Sequence, residues 1–201
     1  MWSTEPRTTL VGAPRLAVRL VGASRIAVET KVVGMLPDLT FPFEVGPSLW
    51  TGPPLTEDMV RRAEETLGVR LPRSYVELMY RQNGGVLKNN CCPMSFRTSW
   101  AADHFGVDVI MGVGYEEGVD VQSASLISEW GYPNVGVVLG VTPSAGPDTV
   151  MLDYSGSGPD AEPAVIYVDE DRVPRRVADS FGDFMNGLVS CEVYEEDGEG
   201  R

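Results

Sequence analysis

Lysine is nearly absent from this chain: Lys31 and Lys88 stand against fourteen arginines. Histidine occurs once, at His104, and cysteine three times, at Cys91, Cys92 and Cys191. No window holds the roughly 18 uninterrupted apolar residues of a membrane span, so no membrane partner is expected. Cys91 and Cys92 are adjacent and make a poor disulfide pair, and no CxxC occurs. Sparse cysteine of this kind fits a reducing cytosol, so a cytoplasmic location is expected. Cys91, Cys92 and His104 match no standard zinc spacing, so neither a metal site nor a cofactor is expected.

Acid dominates what remains. The formal net charge is −13, and it is spread unevenly. Residues 1–35 carry five basic side chains (Arg7, Arg15, Arg19, Arg25, Lys31) and two acidic ones (Glu5, Glu29), a surplus of +3 that leaves −16 on residues 36–201. Such a body repels phosphate, which excludes nucleic acid as the expected partner, and it is steered toward basic surfaces. The apolar fraction of 43% is that of a globular protein.

Three regions differ in character. Residues 10–18 (Leu-Val-Gly-Ala-Pro-Arg-Leu-Ala-Val) are nearly copied by residues 20–28 (Leu-Val-Gly-Ala-Ser-Arg-Ile-Ala-Val). Two copies are too few for a solenoid, and residues 1–34 are read as a poorly ordered or non-native extension, with Met35 as a candidate start. Residues 35–191 are expected to form a single domain. Residues 192–201 read as an acidic tail that frays into solvent.

Within the domain, Pro- and aromatic-rich residues 36–54 read as an extended segment pinned by Phe41, Phe43 and Trp50. A helix opens at Thr56 as N-cap, with Glu57 and Asp58 in its first turn, and stops at Gly68. A second opens at Pro72, buries Tyr75, Val76, Met79 and Tyr80, and ends at Asn83-Gly84-Gly85, completing a helical hairpin. A third is expected over 124–130 with Ser123 as cap, and a fourth from Ser180, whose Asp183 three residues on resembles a capping box. Strands are expected over 107–113, 135–141, 149–153 and 164–168. Their connections are too short for crossovers, so the sheet is antiparallel. The expected fold class is α+β: a mainly antiparallel sheet with the N-terminal helical hairpin and the C-terminal helix packed against it.

Four stretches, in order, resemble one family. They are Ala63–Tyr75 running on to Arg81-Gln-Asn-Gly-Gly85; Thr142-Pro-Ser-Ala-Gly146 with Met151-Leu-Asp-Tyr154; Glu162-Pro-Ala-Val165; and Val177-Ala-Asp-Ser-Phe181-Gly-Asp-Phe184. Together they are similar to SUKH (SMI/KNR-type) domains over roughly residues 50–190. That resemblance implies an α+β fold without established catalytic residues. It also implies protein binding, either of polymorphic toxins, as by bacterial immunity members, or in regulation of cell-wall assembly, as by fungal members. The arginine-for-lysine usage fits a GC-rich bacterial gene. Pro147 departs from the family pattern, in which a polar residue is common between the glycine and the acid.

No nucleophile elbow, P-loop or dinucleotide fingerprint is present. His104 lies in Trp100–Gly106, read as a loop. No catalytic residue is therefore assigned. The expected activity is neutralisation of a basic, nuclease-like toxin; the alternative is a regulatory or scaffold module. The expected partner-binding residues are Glu116, Glu117 and Asp120 in one loop, and Asp169, Glu170 and Asp171 in another, with Tyr154 as an aromatic anchor. Asp153 is expected to fix the loop after its strand by hydrogen bonds.

Overall fold

The computed structural model describes residues 41–195, apart from Pro47 and Ser157. The near-repeat of residues 10–28, the candidate start at Met35 and the last residues of the acidic tail lie outside the described residues.

Thr56 opens the first helix, α1 (Glu57–Leu67), its hydroxyl accepting from the Met59 amide. Gly68 closes it at φ 70, a left-handed turn that a side chain resists. The second helix, α2 (Arg73–Arg81), follows with Pro72 at its N-cap. Its buried residues are Tyr75, Leu78 and Met79, whereas Tyr80 is 48% exposed and does not belong to the apolar stripe. Tyr75 is driven in by its ring and held by its hydroxyl, which donates to the Met111 carbonyl at 2.8 Å.

Three short strands follow: β1 (Gly85–Val86), β2 (Cys91–Pro93) and β3 (His104–Gly106). The expected strand over 107–113 contracts to β4 (Val109–Ile110). Beyond it Gly112 and Val113 leave the sheet to meet Asn83, whose Oδ1 accepts from the Val113 amide at 2.8 Å. Helix α3 (Val119–Trp130) begins five residues before the expected start at 124. Ser123 is not its cap. It is buried, and its hydroxyl accepts at 2.8 Å from the Val138 amide, which lies beyond the reach of β4.

The remaining strands are β5 (Gly136–Val141), β6 (Thr149–Asp153), β7 (Ala164–Val168) and β8 (Pro174–Ala178). β8 was not among the expected strands, since a proline followed by two arginines carries no strand pattern. An edge strand tolerates both a proline and charge, and β8 is such an edge. Helix α4 (Phe181–Gly187) is capped by Ser180, whose hydroxyl accepts from the Asp183 amide. A short α5 (Glu192–Glu195) occupies the start of the expected tail.

The six-stranded sheet has the order β1-β4-β5-β6-β7-β8 with every pairing antiparallel, and β2 and β3 form a separate ribbon. The α+β class holds. α3 packs on β5 and on α1, while α4 packs on α2, β7 and β8. Phe43, Tyr75, Phe105, Leu139, Met151, Tyr167 and Phe181 are among the fully buried side chains of the core between them. The extended segment is pinned as expected: Phe43 is fully buried and bridges to Leu87.

Candidate partner-binding site

Two devices shape the β5–β6 end of the domain. The first is Asp148, 4% exposed at the end of the 142–148 loop. Thr142 donates its hydroxyl to Asp148 Oδ1 at 2.7 Å, Ser144 donates to the same oxygen, and Tyr167 donates to Oδ2 at 2.6 Å. Burial, with the neighbouring Asp148, pushes the Tyr167 phenol far above its ordinary range, so it stays a donor. The second is Gly146, at φ 142, where an added Cβ would run into the Trp130 ring. The loop therefore closes directly on the C-terminal turn of α3. Tyr132 braces it from below, its hydroxyl donating to the Gly146 and Asp148 carbonyls, and burial raises that phenol to about 12.

The result is a cleft of about 250 Å³ between α3, the floor residues Met111 and Gly140, and the 142–148 loop. Trp50, Leu126 and Trp130 line it with apolar surface. Trp50 is delivered by the extended segment and anchored through its carbonyl, which accepts from the Tyr115 hydroxyl at 2.6 Å. Glu117 and Asp148 are the charged side chains of the lining.

The expected contact residues divide sharply. Glu116 is exposed and Glu117 half-buried. Among the described residues neither carboxylate has a hydrogen-bonded partner. Asp120, at the start of α3, accepts from the Gly114 amide at 2.8 Å, which tightens the loop that carries both glutamates. Glu170 is exposed. Asp171 is ion-paired with Arg175, which, with the Val173 amide, holds its carboxyl down at about 2.

Two of the expected contacts are corrected. Tyr154 is 6% exposed, and its hydroxyl donates to the Arg70 carbonyl, so it is a core residue rather than a surface anchor. Burial raises its phenol strongly. Asp169 is 5% exposed. Burial acts to raise its pKa, but the Ser99 hydroxyl and amide and the Glu170 amide lower it further, and the net shift is downward. It is the clasp between the 99 region and the β7–β8 turn. Asp153 does as expected: its Oδ1 accepts from the Ser155 amide at 2.8 Å.

The 142–148 loop touches both acidic regions. Glu117 shares the cleft with it, and Arg172 of the β7–β8 turn donates to the Pro147 carbonyl and stacks over Tyr132 at 5.2 Å. The cleft and Asn83 were missed by sequence reasoning. Asn83 read as a helix stop, yet it is 2% exposed and also donates to the Pro53 and Val113 carbonyls. An Asn followed by two glycines signals a turn equally well with or without such a role.

The cysteines also depart from expectation. Cys91 and Cys191 form a disulfide across 100 positions, with Cα atoms 5.0 Å apart. Cys91 exchanges both backbone hydrogen bonds with Val189, and this pairing brings Cys191, two residues on, within reach. Cys92 is the buried free thiol, raised to about 12 by burial. His104 is on β3 rather than in a loop, and its ring stacks on Tyr194 of α5 at 3.7 Å. Among the described residues, no three His, Cys, Asp or Glu side chains gather as metal ligands, and no helix is long and apolar enough to cross a membrane.

The model of a family described as SMI1-KNR4 cell-wall, of the SUKH group, matches residues 57–185. That span runs from the first residue of α1 into α4 and contains the cleft apart from Trp50. Neither the curated proteins nor the solved structures contain a match to this chain.

Proposed function

Because the chain belongs to the SUKH (SMI1-KNR4) family, whose domains are protein-interaction modules of the immunity or regulatory kind, we propose that it is an immunity protein that binds and neutralises a cognate polymorphic toxin. The single observation that carries the reading is charge. A body of −16 over residues 36–201 suits a basic, nuclease-like effector, which an acidic inhibitor finds quickly and covers selectively. The contact set is drawn from Glu116, Glu117 and Glu170, with Asp120 and Asp171 supporting their loops. The chain acts by occupying a surface and is not an enzyme. Co-expression with the product of the neighbouring gene tests this: protection of the host and a co-purifying complex are expected, and their joint absence overturns the reading.

The wording of the family description, cell-wall, favours a second reading, a regulatory or scaffold module with no toxin partner. A gene without a toxin-like neighbour would select it.

An immunity role belongs in the cytoplasm, where the toxin acts. The cysteines no longer support that compartment, since a Cys91–Cys191 bridge is favoured where thiols are oxidised. Alkylating the denatured protein directly from cells and weighing it separates the cases. Adducts on all three cysteines mean a reducing compartment, and an adduct on Cys92 alone means an oxidising one.

A further inference from the structure

We propose that the cleft between α3 and the 142–148 loop is the seat of an arginine side chain from the protein partner. The proposal rests on the binding function just given and names the chemistry of its anchor.

The lining dictates the occupant. Trp50, Leu126 and Trp130 supply apolar and aromatic walls, which suit a flat, weakly hydrated group on an aliphatic stem. The charged side chains of the lining, Glu117 and Asp148, are both acids, so an anion is disfavoured. Of the two, Asp148 already accepts from Thr142, Ser144 and Tyr167 and is nearly inaccessible. Glu117 is different: half-buried, on the cleft wall, and without an ion pair among the described residues. A half-buried carboxylate that shares a cleft with two indoles suits a guanidinium, which can fork on the acid and stack on a ring. Arg172 does not fill this role. Its guanidinium is held by the Pro147 and Asp169 carbonyls over Tyr132, and it is not part of the lining. A basic partner is also what the body's net charge selects.

The walls are preformed. Gly146 lets Trp130 close on the loop, and the Tyr115 hydroxyl fixes the Trp50 backbone, which reduces the ordering that accompanies occupation.

The test uses the full chain, with N-acetylarginine amide as probe and N-acetylcitrulline amide, its neutral isostere, as control. Indole N–H signals, assigned with Trp50→Phe and Trp130→Phe, report occupation by NMR. The arginine probe is expected to shift the Trp50 and Trp130 signals saturably, with citrulline binding about fivefold more weakly and Glu117→Gln weakening the arginine probe by about the same factor. Equal binding of the two probes, no shift at either indole, or indifference to Glu117→Gln would overturn the assignment. A second arm measures capture of the co-encoded toxin. Weaker capture by Glu117→Gln supports the proposal, and unchanged capture overturns it even if the free probe binds. If the arginine probe binds as expected but no toxin complex forms with the wild type, the immunity reading fails while the cleft's preference for a guanidinium stands.

Discussion

Asp148 organises the loop that forms one wall of the cleft. Three hydroxyls, from Thr142, Ser144 and Tyr167, converge on its carboxyl group out of solvent. Asparagine is nearly isosteric but turns one acceptor into a donor that would face a donor. Asp148→Asn is expected to cost about 1–3 kcal/mol, read as a lower urea midpoint with an unchanged slope. Asp169 gives a pH signature. Its folded pKa lies below the ordinary value of 3.8 because the Ser99 and Glu170 donors outweigh burial. The stability it contributes is thus fully present above that ordinary value and is lost as pH falls through the folded one. Asp169→Asn should lower stability at pH 7 and flatten the acid limb of the stability curve below about pH 4. An unchanged acid limb would show that the clasp does not form. Neither residue could be ranked from sequence. Asp148 and Asp169 sit in Pro/Gly-rich or acidic turns, where most carboxylates are solvated, and only the tertiary arrival of Tyr167 or Ser99 makes them exceptions.

Among the elements, those with a local cause were legible and those with a distant cause were not. α1 and α4 announced themselves by Thr56 and Ser180 as caps, and β6 and β7 by β-branched runs bounded by turn residues. α3 was misplaced because its N-terminus has no side-chain cap: Gly118 opens it, and the serine that resembled a cap reaches across to β5. β1, β2 and β3 are each two or three residues long, too short for a period-2 pattern to show, and β4 was legible only as part of the longer run 107–113. The ribbon of β2 and β3 is tied to the C-terminal segment by the Cys91–Cys191 bridge and the Tyr194–His104 stack, both made with residues about a hundred positions away. Cross-linking a loop of that length is expected to stabilise by about 3–5 kcal/mol. Cys191→Ser should therefore lower the denaturation midpoint markedly under non-reducing conditions, and the wild type should fall to the same value on addition of a dithiol reductant. Equal midpoints for wild type and variant without reductant would mean that the bridge is not formed in solution.

At the scale of the molecule, an acidic sheet-and-helix body presents a preformed aromatic cleft with one open carboxylate, flanked by loops carrying Glu116 and Glu170. The family and its general role were readable from the order of four short stretches. Of the site only Glu117 was, because Trp50, Glu117, Trp130 and Gly146 are spread over nearly a hundred positions and meet through the packing of α3 on β5 and the hold of Tyr115 on Trp50. Calorimetric titration of the purified chain with the purified product of the adjacent gene, at low and at high salt, puts the central claim to its most direct trial. The account predicts a stoichiometric complex whose affinity falls as salt rises, because acid meets base across the interface. The absence of heat at both salt concentrations, or an affinity indifferent to salt, would contradict it.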